Sequence, residues 1–144
     1  MRNCASAAQI AEHLTLCDVD FVPTLSSRVE IRDYAQKLAS QATTFEAWLG
    51  DTLIGLVAAY CNNHEQCIAY ISSVSVLKTW TGKGIADSLV NQCIFYAQAS
   101  GMQRISLKVA GDNGPAIALY RKNGFAAISV GAPLIEMNLT LKMP

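Results

Sequence analysis

A short segment with two glycines, Thr81-Gly82-Lys83-Gly84-Ile85-Ala86, has the composition of a phosphate-binding loop. It follows an apolar segment of strand type that includes Val74-Ser75-Val76, and apolar residues recur at helical spacing after it. The first amides of a helix lack intrahelical partners and lie at the positive end of the helix dipole. Glycine leaves the backbone uncovered by a side chain. The segment therefore predicts a site for a phosphate or diphosphate, to which Lys83 adds a positive charge.

Two common phosphate-binding loops do not fit this segment. A Walker loop requires glycine where Leu77 stands and Ser or Thr where Gly84 stands. A dinucleotide fingerprint requires a third glycine at the position of Asp87. An ordinary strand-to-helix turn remains an alternative for the segment taken alone, and Lys83 is equally compatible with a solvated loop lysine.

Composition narrows the class of protein. The chain has 144 residues, about half of them hydrophobic, which predicts a single domain over residues 1–144 with a real core. Its formal net charge is zero and it has no basic block, which argues against nucleic acid as a partner. No segment resembles a signal peptide or a membrane span, so we expect a cytoplasmic protein without membrane contact.

The five cysteines allow two interpretations. Cys61 and Cys67, with His64 between them, could in principle ligate a metal, but their spacing is not C-x2-C and no second cluster follows. Buried free thiols in a reducing compartment fit better. The sequence therefore predicts no metal.

The chain begins with two helices and three strands. Apolar spacing predicts a helix over residues 5–16, a loop over 18–27 and a second helix ending near Ser40. Ser27 and Glu30 have the spacing of a capping box that would open this second helix. Strands are predicted at Thr44–Leu49, Leu53–Cys61 and Cys67–Leu77, and the continuous apolar run of the second indicates burial on both faces.

The third strand contains an irregularity. Ser72-Ser73 separates Ile71 from Val74 by three positions where apolar alternation requires two. One extra residue that resets the alternation indicates a β-bulge, although a polar patch on a regular strand would give the same pattern.

The second half alternates helices with strands. The helix that starts at Ile85 should end before Gly101, and Ile105, Leu107 and Val109 alternate as a strand. The next helix starts at Asp112-Asn113-Gly114-Pro115 and closes at Asn123-Gly124. Two final strands, Phe125–Val130 and Ile135–Leu141, flank a turn at residues 131–133. The order α-α-β-β-β-α-β-α-β-β predicts an α/β protein with a mixed sheet covered by helices.

With these elements in order, the chain resembles the GNAT superfamily of acyl-CoA-dependent N-acetyltransferases. The family's loop pattern R/Q-x-x-G-x-G/A corresponds to residues 81–86, and the family's later motifs correspond to Asn113-x-x-Ala116-x-x-Leu119-Tyr120 and Asn123-Gly124-Phe125. The resemblance covers residues 48–125 and more loosely the remainder. Within the superfamily, the N-terminal half is similar to small acetyltransferases of bacterial surface-polysaccharide clusters.

The resemblance implies a GNAT fold whose sheet splays at the bulge near residues 72–74, and it assigns roles to individual residues. Backbone amides of residues 81–86 should hold the diphosphate of acetyl-CoA, and Val74, Ser75 and Val76 should pair with its pantetheine arm. Asn113 should bond to the cofactor, and Tyr120 should lie beside the thioester sulfur as the general acid. A core tyrosine and a helix-capping asparagine are the structural alternatives for the last two.

Three departures from the family pattern stand out. Thr81 replaces the Arg or Gln of the loop, Lys108 stands where many members have an acidic residue, and only a few residues precede the first helix. The second departure removes a common candidate for the general base. Tyr70, Ser72 and Ser73 could order a water in its place. Arg28 could bind an anionic part of an acceptor, although a surface arginine near the helix cap is the simpler interpretation.

The reaction implied is transfer of acetyl from acetyl-CoA to the primary amine of a small molecule, an amino sugar or nucleotide-linked amino sugar being one option. A strand amide near Val74, freed by the bulge, could stabilise the oxyanion. A non-catalytic acyl-CoA-binding module and a protein or peptide N-acetyltransferase remain alternatives. A homodimer is one assembly open to such a chain, whose oligomeric state is not readable from sequence.

Overall fold

The structure, a computed structural model, describes residues 2–21, 23–130 and 134–141, without the side chains of residues 129 and 130. The predicted turn at 131–133 lies outside these ranges. The helices are α1 (Ala7–Cys17), α2 (Ile31–Gln41), α3 (Ile85–Ala99) and α4 (Gly114–Lys122). The strands are β1 (Thr43–Leu49), β2 (Thr52–Tyr60), β3 (Ile68–Val76), β4 (Arg104–Ala110), β5 (Ala126–Val130) and β6 (Leu134–Thr140). The predicted order of elements is confirmed.

The six strands form one mixed sheet in the order β1-β2-β3-β4-β6-β5. All neighbouring pairs are antiparallel except β3 and β4, which run parallel. The parallel pair is short, because only residues 68–70 of β3 lie in register with residues 104–106 of β4. The two strands continue beyond this pairing without a shared ladder in the described residues, so the centre of the sheet opens into a V.

The predicted bulge lies in β3. Ala58 pairs with Ser73 and Ala59 pairs with Ile71, so Ser72 is the additional residue between the two pairs. Because a bulge reverses which side chains face each side of the sheet, Ala69 and Ile71 pack on the same core as Val74 beyond it. Apolar packing before and after the bulge explains why the sequence shows a spacing of three at this point.

Two apolar cores cover the sheet. The larger core lies under α3 and α4 and contains Val90, Ile105 and Tyr120, and the smaller one lies under α1 and α2. Residues 53–59 of β2 are all buried, which confirms the prediction that both faces of this strand are covered. A Cβ on Gly55 would lie 2.8 Å from Cγ2 of Ile85, so a glycine there lets the start of α3 approach the sheet closely.

The predicted capping box of the second helix is wrong. Helix α2 begins at Ile31, and Glu30 is its N-cap, with a carboxylate oxygen that accepts a hydrogen bond from the Asp33 amide at 3.0 Å. The Ser27 hydroxyl donates to the carbonyl of Thr24 instead. The loop before α2 turns at residues 25–27 as a short 3-10 helix, so Ser27 is no longer extended and cannot cap.

The N-terminal segment adds almost nothing to the sheet. Arg2 forms a single isolated bridge with Phe45 of β1, next to the hydrogen bond from the Asn3 amide to the Thr44 carbonyl. The sequence predicts that the family's usual first strand is missing. In the described residues, this segment contributes one bridge in place of that strand. Among the described residues, no helix is long and apolar enough to cross a bilayer, and no three His, Cys, Asp or Glu side chains come together.

Candidate functional site

The glycine loop has the backbone conformation that its sequence predicts. Gly82 has a φ of +76° and Gly84, the N-cap of α3, has a φ of +80°. These values lie in the left-handed region, which favours glycine. A Cβ added at either position would meet no protein atom within 4 Å, so this side of the loop faces open space. Unobstructed amides before the first turn of a fifteen-residue helix provide the setting for a phosphate group.

The free edge of β3 leads away from this loop. The Leu77 amide donates to the Ile54 carbonyl of β2 at 2.8 Å. Because successive residues of a strand direct their peptide groups to opposite sides, Val76 and Val74 direct theirs away from β2, toward the gap left by β4. The peptide group of Ser75 faces β2. Only Val74 and Val76 of the predicted three therefore present backbone donors and acceptors to the gap.

One cavity of about 420 Å³ connects the loop, the strand and Tyr120. Its walls come from the α1–α2 connection, from β3, from the glycine loop with the first turn of α3, and from α4. The lining residues that argue for a ligand site are Val74, Ser75, Val76, Thr81, Gly82, Gly84, Ile85, Ala86 and Tyr120. Eight of the predicted cofactor-binding residues thus line the same cavity as the predicted catalytic tyrosine.

Tyr120 is a nearly buried residue in the wall of this cavity. Its side chain is 7% exposed, and its ring packs edge-to-face on Phe125 with centroids 5.9 Å apart. Burial raises the pKa of Tyr120 to about 12, because the ionised phenol would lose its solvation. Its hydroxyl has no hydrogen-bond partner within the described ranges. A buried, neutral hydroxyl at a cavity wall is free to donate to a ligand.

Two predicted residues lie at the margin of the cavity. Asn113 is the N-cap of α4, and its side-chain oxygen accepts from the Ala116 amide at 3.4 Å. It lines a second, smaller cavity rather than the large one. Lys83 is exposed and lines neither cavity. In this structure Asn113 is a helix-capping residue and Lys83 is a solvated loop lysine, as the structural alternative for each proposes.

Two acidic residues, Asp20 and Asp87, line the large cavity, and sequence reasoning assigned neither to the site. Asp87 lies in the first turn of α3, where an unpaired carboxylate would repel a phosphate. Its oxygens accept a hydrogen bond from the Asn123 side chain at 3.0 Å and lie 3.6 Å from the Lys122 ammonium. Both partners come from the end of α4, and they offset part of the carboxylate charge. The Asn123-Gly124 motif predicted only a helix end, so the pairing was visible only in three dimensions.

A buried histidine fixes the wall of the cavity beside Ser75. The Nδ1 atom of His13 lies 2.8 Å from the Leu53 carbonyl, and Nε2 lies 2.8 Å from the Ser75 hydroxyl. A carbonyl can only accept, so Nδ1 carries the proton and Ser75 donates to Nε2. Burial lowers the pKa of His13 from its usual value, since the charged ring would be desolvated. The contact ties α1 to β2 and β3 behind the cavity.

This neutral histidine predicts an acid-sensitive fold. In the unfolded chain, His13 binds a proton near its ordinary pKa of 6.5, whereas the folded chain resists protonation. The free energy of unfolding should therefore fall as the pH drops below 6.5, by up to about 1.4 kcal/mol per pH unit. Urea unfolding at pH 5 and pH 7 measures this loss. His13→Gln should remove most of the difference, and His64→Gln, on an exposed loop, should keep it.

A second cavity of about 110 Å³ adjoins the first. The two cavities share Phe21, Val74, Ala116 and Tyr120, so they meet at the phenol. The second one lies in the V between β3 and β4. Its polar lining consists of Arg28, Ser72, Ser73, Lys108 and Asn113. The site thus consists of a larger cavity lined by the glycine loop and a smaller polar one, and Tyr120 lines both.

A mixed sheet opened at its centre, with a glycine loop and helix start at one end of the opening, is the architecture of acyl-CoA N-acyltransferases. The profile of the acetyltransferase (GNAT) family matches residues 7–125. The chain belongs to the acetyltransferase (GNAT) family.

Individual relatives agree with this assignment. Mycothiol acetyltransferase of Corynebacterium glutamicum (strain R) is 31% identical over 78 residues, which are 54% of this chain and 26% of that protein. The chain thus matches about a quarter of that relative's length.

Two solved structures share the fold over nearly the whole chain. The ribosomal-protein-alanine N-acetyltransferase of Brucella melitensis superposes with a TM-score of 0.77 at 19% identity, covering 98% of this chain and 99% of that one. The PaiA N-acetyltransferase of Thermoplasma acidophilum, in complex with coenzyme A, superposes with a TM-score of 0.72 at 15% identity, covering 97% and 98%.

Proposed function

We propose that this chain is an acetyl-CoA-dependent N-acetyltransferase that moves an acetyl group to the primary amine of a small molecule. One observation carries the proposal: the buried Tyr120 hydroxyl lies where a cavity that starts at the glycine loop meets a polar cavity in the opened sheet. That arrangement provides separate places for a coenzyme and an acceptor on either side of one proton donor.

The chain's own residues fit coenzyme A. The left-handed glycines leave room for a diphosphate where a Cβ would otherwise project, and the amides at the start of α3 can donate to it. Val74 and Val76 present their peptide groups to an open edge, which suits an extended pantetheine arm. The coenzyme A complex of the structurally similar PaiA protein is consistent with this use of the fold.

Acetyl-CoA supplies an activated acetyl group as a thioester. In the transfer, the N–C bond forms, the C–S bond breaks, and one proton leaves the nitrogen while the sulfur gains one. With the pKa of Tyr120 at about 12, a full proton transfer to a free thiolate of pKa ~8.5 is uphill by roughly 5 kcal/mol. We therefore infer that Tyr120 first donates a hydrogen bond to the sulfur, and passes its proton on as it receives one from nitrogen.

The surroundings of the smaller cavity support a small acceptor. Phe21, in the connection between α1 and α2, lines both cavities, and Arg28 from the same connection lines the smaller one. A small molecule could fit beside this connection within a cavity of about 110 Å³, whereas a peptide would need an open groove along β3. The five free thiols are consistent with the reducing cytoplasm that we expect for this enzyme. A homodimer remains one possible assembly.

The test is turnover by the purified chain. Coenzyme A thiol release is followed with acetyl-CoA and a panel of primary amines, and acetylated products are identified by mass spectrometry. Acetyl-CoA binding is measured in parallel by calorimetry. Release with at least one small amine supports the proposal, whereas binding without release from any amine points to a recognition module. Release only with peptides would assign a protein substrate.

A further inference from the structure

The smaller cavity has an unusual charge balance for a site that must receive an amine. Among the residues that the structure describes, the charged ones in its lining are Arg28 and Lys108, and no carboxylate lines it. Neither cation has a carboxylate within 4.0 Å in the part of the chain that the structure describes. Glu136 lies opposite Lys108 in the register of β4 and β6, but beyond ion-pair distance. Two cations against this one more distant carboxylate leave the cavity with a net positive charge, which disfavours an ammonium group on its own.

The same cavity contains a buried hydroxyl without a partner. Ser73 is 6% exposed, and its Oγ is the buried side-chain oxygen for which the described residues provide no hydrogen bond. A buried polar atom of this kind destabilises the folded chain unless a ligand or water satisfies it. Ser73 pairs with Ala58 next to the bulge, one residue before Val74. The oxygen is thus placed for a polar ligand close to the opened edge of β3.

Geometry limits how such a ligand lies. Tyr120 and Val74 line both cavities, so the reacting end of an acceptor belongs at this junction. Arg28, just before α2, and Lys108, on β4, both line the smaller cavity. A ligand with its nitrogen at the junction could therefore direct its other end toward these two cations.

We propose that the acceptor is a primary amine that carries an anionic group, a carboxylate or a phosphate, bound by Arg28 and Lys108. Ser73 hydrogen-bonds to the acceptor between this anion and the amine nitrogen. This inference rests on the proposed function and names the substrate class for it. It also gives Lys108, which replaces the acidic residue common at this position, a role in recognition.

The charge arrangement also serves the chemistry. Two cations disfavour a third positive charge nearby, so they lower the pKa of a bound ammonium group and favour the neutral nitrogen that can attack. The anion of the acceptor pairs with the two cations, and this pairing offsets the cost of bringing the amine close to them. A neutral amine without the anion has no such compensation and should bind poorly. The ammonium group would in this way release its proton to solvent on binding, so that this first deprotonation needs no carboxylate as general base.

The experiment compares matched acceptors that differ only in the anion. Thiol release is measured with β-alanine against β-alaninamide, and with O-phosphoethanolamine against ethanolamine. We expect kcat/KM to be at least tenfold higher for the anionic member of one pair, and the better pair distinguishes carboxylate from phosphate. Lys108→Gln and Arg28→Gln should each reduce this ratio at least fivefold, mainly through KM. Arg32→Gln removes the same charge outside both cavities and should keep the ratio.

A second measurement separates failure of this inference from failure of the proposed function. Binding of N-acetyl-β-alanine and N-acetyl-O-phosphoethanolamine to the complex with coenzyme A is followed by calorimetry, which requires no turnover. Tight binding that Lys108→Gln weakens tenfold supports the anion site even if no amine is acetylated. Equal kcat/KM within both pairs would overturn the inference and leave the acetyltransferase intact. A preference that both variants preserve would also overturn it.

Discussion

Tyr120→Phe should lower kcat about 100- to 1,000-fold, while the KM for acetyl-CoA changes by less than about threefold. The reason is that the hydroxyl has no partner within the described ranges, so its removal affects the departing sulfur and little else. The ring itself, packed against Phe125, is retained in the variant. Steady-state thiol release with the best amine of the panel, and calorimetric binding of acetyl-CoA, measure the two parts of this prediction.

A control distinguishes chemistry from folding in this variant. The free energy of unfolding of Tyr120→Phe should lie within about 1 kcal/mol of the parent chain, since no hydrogen bond is lost. With the pKa of Tyr120 at about 12, the hydroxyl stays protonated below pH 11, and no falling limb due to Tyr120 should appear in kcat below that pH. A rate reduced by less than fivefold would remove Tyr120 from the proton transfer and leave it as a core residue.

Gly84→Val should weaken acetyl-CoA binding at least 30-fold. Valine is strongly disfavoured at a φ of +80°, and its Cβ would project to the open side of the loop, where no protein atom lies within 4 Å. The substituted side chain therefore does not clash with the protein but occupies the space proposed for the diphosphate. Calorimetric titration with acetyl-CoA measures the change. Unchanged affinity would place the coenzyme elsewhere.

Gly101→Val is the matched control for the loop variant. Gly101 has a φ of +84° and no atom within 4 Å of an added Cβ, but it lies after the other end of α3. The two variants should lose a similar ~1–2 kcal/mol of folding free energy from backbone strain. Acetyl-CoA affinity should fall only in Gly84→Val. If both variants bound acetyl-CoA equally weakly, strain transmitted through α3 would explain the loss, and a direct contact at Gly84 would not.

Together these variants test whether the two cavities have separate functions. We propose that the glycine loop determines affinity for the coenzyme, that Tyr120 determines the rate of transfer, and that the cations of the smaller cavity determine which amine reacts. If each variant lost only one of these properties, the result would support the separate functions that we propose. Correlated losses of affinity and rate in the same variant would instead indicate that the cavities are coupled through β3.

Much of the fold could be predicted from the properties of residues that are adjacent in the sequence. The glycine loop and the start of α3 could be predicted because their geometry depends on glycine's freedom at positive φ and on unpaired amides, both properties of adjacent residues. The bulge at Ser72 was visible because apolar alternation changes phase in a strand with buried neighbours. The N-cap of α2 could not be predicted, because Ser27 and Glu30 are both suitable capping residues. The 3-10 turn at residues 25–27 removes Ser27 from the capping position.

The sequence by itself determined the order of elements, the glycine loop and the position of the proposed proton donor, because each depends on residues close together in the chain. Tertiary structure alone brought Arg28 and Lys108, 80 positions apart, to one cavity with the unpaired Ser73 hydroxyl. It also opposed the charge of Asp87 with a lysine from another helix and raised the pKa of Tyr120 by burial. Burial and charge pairing depend on packing between distant segments, which no local pattern encodes.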